Sequence, residues 1–255
     1  MMNDKAVSEA IGFILILGIV ISGIGLVTLY GYPVLIKEQS STDIKNMERA
    51  MIVIQNDMKS LCFKNVPYKE SSLQVSGGTL AVVNASDSEA YFTIETSTPD
   101  GAYDSGPLRI GGLRYRSDRG SEVITLENGA VMTRQEGAPG SAMLAEPRWF
   151  YDNNTLTNEK TFVIYIMKII TDEPMARSGM ATVRMRLLET APMDPIPDPG
   201  TVTVRYNDPS EEYSTAWKNY LTSTVGMTHA GGNTYTLSGV TKLVIKEYNI
   251  EILGI

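Results

Sequence analysis

Apolar positions along the chain follow three successive rhythms. From Val7 to Ile36 (VSEAIGFILILGIVISGIGLVTLYGYPVLI) they are almost continuous: no charged side chain stands between Ala10 and Ile36, and Glu9 marks the leading edge. A backbone in hydrocarbon must satisfy its own hydrogen bonds, so such a run is stable there as a helix. At ~1.5 Å per residue it reaches roughly 40 Å, more than the ~30 Å of a bilayer core. Gly12, Gly18, Gly23, Gly25 and Gly31 punctuate it. Small residues let helices approach closely, although glycine is also common in membrane helices in general. Pro33 removes a backbone donor, which predicts a kink or break near Gly31–Tyr32.

The second rhythm is helical. Ile44, Met47, Met51, Ile54, Met58 and Leu61 recur every three or four residues, with Asp43, Lys45, Glu48, Arg49, Asp57 and Lys59 between them. The spacing predicts an amphipathic helix over 37–63 that ends before Pro67. Its seam has two available uses: packing on the chain's own sheet, which is favoured, or a contact with a neighbouring subunit. Cys62 closes the seam as a buried thiol.

From Leu73 the period becomes two. Strands are predicted at Leu73–Val75, Thr79–Asn84, Ala90–Glu95, Leu108–Ser117, Glu122–Leu126 and Ala130–Gln135. Further strands are predicted at Thr161–Thr171, Ala181–Glu189, Thr201–Tyr206, Thr234–Leu237 and Leu243–Leu253. Gly77-Gly78 reads as a turn, and Asn128-Gly129 as a type I′ hairpin. The nearly all-apolar Thr161–Thr171 reads as a central strand covered on both faces. Asp208-Pro209-Ser210-Glu211 predicts a helix start running to about Thr222, with Tyr213, Ala216, Trp217, Tyr220 and Leu221 on one face. Four prolines between Ala191 and Gly200 suggest an extended crossing, with a small sub-lobe at 201–255 as the alternative. The fold class expected is α+β: a long hydrophobic then amphipathic amino-terminal helix, followed over 72–255 by a mainly antiparallel, β-sandwich-like head.

Composition narrows the chemistry. The formal charge is −7, with scattered rather than clustered cations, which argues against a nucleic-acid partner. One cysteine forbids an intrachain disulfide, and one histidine, His229, leaves little for a triad or a His/Cys metal site. No P-loop, GxGxxG after a strand, GxSxG or HExxH occurs. Asp152-Asn153-Asn154-Thr155 and the Asp194/Asp198 loop carry oxygens that could hold a hard cation, but both read more simply as polar turns. No catalytic, cofactor-binding or metal residue is therefore assigned, and no cofactor is expected. Asn84-Ala85-Ser86 and Asn153-Asn154-Thr155 fit the N-glycosylation sequon, making Asn84 and Asn153 candidate acceptors if they lie outside the cell.

The flanks of the apolar run are unlike those of a secretory signal. It is about twice the usual ~7–15 residues and lacks a small-x-small site at its end. Asp4-Lys5-Ala6-Val7-Ser8-Glu9-Ala10-Ile11-Gly12-Phe13-Ile14-Leu15 instead resembles the amino terminus of archaeal type IV pilins and archaellin-like subunits. There a charged and a small residue precede the cut, and a polar Val-Ser segment and Ile-Gly step lead into the helix. Glu9 stands where the family more often has proline. The resemblance covers about 30 residues and implies a leader, 1–6, removed by a prepilin peptidase between Lys5-Ala6 and Val7. It further implies that 7–36 passes from membrane lipid into contact with the same helix of other pilin-like subunits. For Glu9 two roles stay open: favourable placement in the first helical turn, worth ~0.3–1 kcal/mol, or register in assembly by meeting a neighbour's amino terminus.

These expectations describe a structural, non-enzymatic subunit of an archaeal type IV pilus-like surface filament, with the head outside the cell; the size of the head suits a minor or adhesive subunit as well as a major one. The alternative is a binding or sensory ectodomain on an uncleaved anchor that never polymerises. A tethered hydrolase has no motif behind it.

Overall fold

A computed structural model describes residues 4–64, 66–98, 101–188 and 194–255, with side chains from Ile11 onward. Contacts divide the chain into two compact units, Met1–Asp43 and Ile44–Ile255.

The first unit is helical. Helix α1 spans Asp4–Leu26, a π-helical turn occupies Val27–Gly31, and α2 spans Tyr32–Lys64, its later turns belonging to the second unit. Of the kink or break expected near Gly31–Tyr32, the break is not there; the helix widens for one turn and continues. The Tyr32 N–H bonds to the Val27 oxygen five residues back. Such a turn is a known way for a helix to absorb a proline, because Pro33 has no N–H and its ring crowds the carbonyl four residues earlier.

In the second unit, β1 covers Tyr68–Val83, β2 Tyr91–Thr98, β3 Gly101–Asp104, β4 Leu108–Arg109 and β5 Gly112–Ser117. Next come β6 Glu122–Glu127, β7 Ala130–Gln135, β8 Ser141–Ala145, β9 Phe150–Asn154 and β10 Glu159–Ile170. Last are β11 Ala176–Leu188, β12 Ile196–Asn207, helix α3 Ser214–Asn219, β13 Thr228–Gly231 and β14 Thr234–Gly254. All fourteen strands join one sheet, its main path running β3-β2-β12-β14-β11-β1-β5-β6-β7-β8. The α+β class with a β-rich head is as expected.

Several boundaries differ for local reasons. Gly77-Gly78 does not turn the chain; it lies in a register shift between Val75 and Leu80 within the long β1. Leu108–Ser117 is two strands, because Gly111 takes φ +64° and a Cβ there would meet the Val83 oxygen at 2.5 Å. The proline-rich stretch is not a free crossing from Ile196 onward: Ile196 and Pro197 pair with Leu243 and Lys242, and irregularities at Asp198 and Gly200 carry the strand on. No separate lobe forms at 201–255, since β12 and β14 bond to β2 and β11 in the common sheet. The helix predicted from Asp208 begins later, at Ser214. Asp208 instead accepts from the Tyr213 N–H at 2.9 Å and the Ser210 hydroxyl at 3.0 Å, and Glu211 takes φ +54°. After Asn219 the coil widens into a π turn, Tyr220–Thr224. The face expected to be buried is buried.

Two cores flank the sheet. One is aromatic: the Phe92 and Trp217 rings meet at 4.8 Å, and each also contacts Trp149 and Tyr206. The other lies under α2, whose Met47, Met51, Ile54, Met58 and Leu61 meet Leu73, Val75, Ile124, Val183 and Ile250. The α2 seam is thus satisfied within its own chain, at about 1.5–3 kcal/mol per fully buried side chain.

Strand β10 is buried on both faces, as expected, but it is central for only part of its length. It runs parallel to β14 along its length, but β9 covers its other edge only as far as Val163. Beyond that, the edge is covered by irregular partners. The Trp149 indole donates to the Tyr165 oxygen (2.6 Å), Met167 N–H donates to Asn128 Oδ1 (2.8 Å) and Ile169 N–H to the Ile110 oxygen (2.8 Å). Asn84 Nδ2 closes the row on the Thr171 oxygen at 2.9 Å. Unpaired strand edges invite aggregation, and buried backbone groups need partners; these four bonds meet both demands.

Candidate functional site: the apolar helix and what holds its neighbour

Between Ile11 and Leu35 the helix makes no use of its apolar side chains inside the chain: Phe13 is 67% exposed and Leu29 71%. It is long and apolar enough to cross a membrane. Contiguous apolar exposure on this scale exceeds what a soluble surface carries and marks contact with lipid or protein. The glycines Gly12, Gly18, Gly23 and Gly25 face open space, so nothing within the chain requires them to be small. Lys5, Ala6, Val7 and Glu9 fall in the first turns of α1, and their side chains lie outside the described residues.

Helix α2 is fixed to the head by more than its seam. Gln55, buried beside Ile54, donates from Nε2 to the backbone oxygens of Gly129 (2.6 Å) and Glu146 (3.0 Å). Asp57 accepts from the Ser71 hydroxyl at 2.5 Å and pairs with Lys69 at 3.2 Å. Gln55 was missed in the sequence because a polar residue next to a seam position carries no periodic signal. Cys62 is free and buried, and burial pushes its thiol up to about 12.

The Asn128-Gly129 hairpin forms as expected, with φ of +48° and +72° and Glu127 opposite Ala130. Its surroundings hold a group that sequence reading did not single out. Glu127 is buried, and its Oε1 accepts from the Tyr206 hydroxyl (3.0 Å) and the Trp217 indole (3.3 Å). Burial raises its carboxyl to about 7, helped by Asp208 and opposed by the Tyr206 and Trp217 bonds and by Arg114. It lines a polar cavity of about 320 Å³ together with Arg114, Asp208, Glu212 and Tyr213. Glu212 there is clamped by Arg134 at 2.5 Å and Arg114 at 3.3 Å, and Tyr213 bonds Thr125 at 2.5 Å. Only the strand-end position of Glu127, directly before the turn, could have drawn attention to it.

The remaining sequence candidates are dispersed. His229 is exposed on β13, its Nε2 2.7 Å from the Gly232 oxygen. Asp194 and Asp198 are exposed, and Asp152 and Asn153 sit at the exposed end of β9, where Asn154 Oδ1 accepts from Leu156 and Thr157 N–H. Among the described residues no cluster of three or more His, Cys, Asp or Glu side chains could hold a metal ion. The two sequons differ: Asn153 is exposed, whereas the Asn84 nitrogen is committed to Thr171.

The profile of a family of unknown function, DUF7289, matches residues 5–250, from the apolar helix to the last strand. An uncharacterized protein of Archaeoglobus fulgidus is 24% identical over 205 residues, covering 67% of this chain; the match spans 66%, just under two thirds, of that relative's length. No solved structure matches the chain.

Proposed function

The chain belongs to the DUF7289 family, whose function is unknown, and we propose that it is a structural subunit of an archaeal type IV pilus-like surface filament. On this reading it is inserted in the membrane by its amino-terminal helix, and its head lies outside the cell. The observation that carries the proposal is the exposed apolar helix from Ile11 to Leu35, which leads into a helix whose own seam is already filled by the head. The apolar segment is therefore the part left over for other molecules. Lipid tails and neighbouring apolar helices are nearly equivalent surroundings for it, so transfer from bilayer to filament core is close to balanced and an ATP-driven platform can tip it. Lys5 and Ala6 would precede the cut, Val7 would become the amino terminus, and Glu9 would sit in the first turn of the mature helix. If the head is glycosylated, Asn153 is the favoured acceptor and Asn84 the disfavoured one.

Intact mass and amino-terminal sequencing of the protein from its own host test this. A mature chain beginning at Val7, with processing and filament incorporation blocked by replacing Ala6 with a bulky residue, is the expected result. A chain that retains residues 1–6 in membranes would overturn the proposal in favour of a plain anchored ectodomain.

A further inference from the structure

Lys59, Lys64 and Arg148 surround one pocket of about 360 Å³, formed between the last turns of α2 and the segment joining β8 to β9. The chain around them is acidic overall, at −7. Among the described residues none of the three has a carboxylate at ion-pair distance. Lys59 Nζ donates to the backbone oxygen of Glu146 at 3.0 Å, while the Glu146 carboxylate is engaged by the Thr224 hydroxyl at 2.8 Å. The Arg148 guanidinium lies 4.5 Å over the Phe63 ring and 5.9 Å from that of Tyr165. Phe63 is braced edge-on by Tyr165 and Tyr248. Stacking fixes the plane of the guanidinium and leaves its N–H edge for another acceptor. The crowding registers on Lys59, whose ammonium is driven down by burial first and by Arg148 second, against the opposing effect of Glu146.

Lys64 at the end of α2 has an ordinary explanation in the helix dipole, and Arg148 has one as a cover for the aromatic rings. Neither explains why a half-buried lysine is placed beside that arginine with no carboxylate at ion-pair distance. We propose that the pocket is an oxyanion site, taking the carboxylate, sulfate or phosphate group of a small solute or sugar acid. Arg148 engages two oxygens with its planar fork and Lys59 and Lys64 supply point charge. The cavity is within the ~300–1,000 Å³ range of small-ligand pockets. The assignment stands whether or not the chain polymerises.

The test is calorimetric titration of the full chain in dodecyl maltoside, in buffer free of phosphate and sulfate. Inorganic phosphate, inorganic sulfate and galacturonate are the probes, with galactose as the uncharged control. Saturable binding of at least one oxyanion and none of galactose is expected. Inorganic ions alone would identify a free oxyanion as the ligand, and galacturonate alone a sugar acid. Arg148→Ala and Lys59→Gln should each weaken binding about tenfold or more, Arg148→Lys less because charge is kept, and Lys218→Gln not at all. Without anion, Lys59→Gln should melt no lower than wild type, since it removes an uncompensated charge, and it should lose the anion-induced rise in Tm. Absence of saturable binding by all three anions would overturn the proposal. So would equal affinity in wild type and both neutralising variants.

Discussion

Glu127→Gln should stabilise the protein above neutral pH and leave it nearly unchanged in mild acid. Glu127 is 5% exposed and burial raises its carboxyl to about 7, against an ordinary value of 4.5. Between those values the folded state holds a proton that the unfolded state has released, so stability falls as pH rises and levels off above pH 7. At 1.36 kcal/mol per pH unit the gap amounts to an upper bound of about 3 kcal/mol. Glutamine keeps an oxygen for Tyr206 and Trp217 and resembles the protonated acid at every pH. The variant should therefore exceed wild type by up to ~3 kcal/mol at pH 8, or roughly 6–12 °C in Tm for a unit of this size. The difference should shrink steadily toward pH 4.5. Urea unfolding of the full chain in detergent, followed by tryptophan fluorescence, is a direct assay because Trp217 touches the group. Taking wild type minus variant at each pH removes the other titrating groups. A flat difference between pH 5 and 8, or a variant less stable than wild type at pH 8, would refute the reasoning. It would show that Arg114 and the two donors compensate the buried charge.

Three further outcomes follow from packing and hydrogen bonding. Met51→Ala, at a fully buried seam position, should cost about 2–5 kcal/mol in urea unfolding, whereas Val53→Ala on the exposed face should cost little. Asn128→Gly keeps the left-handed turn but orphans the Met167 N–H, and should cost about 1–3 kcal/mol; Asn128→Ala should cost ~1 kcal/mol more because φ there is +48°. Cys62 should resist maleimide in the folded chain at pH 8 and react fully in denaturant, as measured by mass, because its thiol is buried and its pKa is about 12.

What the sequence made legible is what local periodicity encodes. The apolar run, the methionine-rich seam, the buried face of α3 and the Asn128-Gly129 turn each depend on neighbours a few residues away, and each appears where the pattern places it. Misread elements are those decided at long range. Gly77-Gly78 looks like a turn locally, but pairing to β11 on either side of a register shift and to β5 from Gly78 onward carries β1 through it, with Gly77 at φ +61°. Two prolines in Ile196–Gly200 look like a linker, yet β14 accepts that segment as a strand with irregular register. Asp208-Pro209 carries a helix-start signal, but the Asp208 carboxylate bonds the N–H of Tyr213, five residues on, and the helix begins after it.

The same distinction separates the two candidate surfaces. The helix leading from Ile11 can be read without a structure because its chemistry is contiguous: an unbroken apolar run either meets lipid or meets another apolar surface. The head gives no such signal, because its notable groups are assembled from distant segments. Glu127 owes its raised pKa first to burial and then to Asp208, against the lowering hydrogen bonds of Tyr206 and Trp217, groups that the chain from β12 to α3 brings to the end of β6. Lys59 is an ordinary charge on the polar side of an amphipathic helix until Gln55 ties that helix to Glu146 and sets Arg148 beside it. On the proposed reading of the apolar helix, this docking gives the chain a second, separable property. The contact that fastens α2 to the sheet also builds the basic pocket at its end. Loosening α2 through Met51 should therefore weaken oxyanion binding as well as stability, while leaving the apolar helix unaffected.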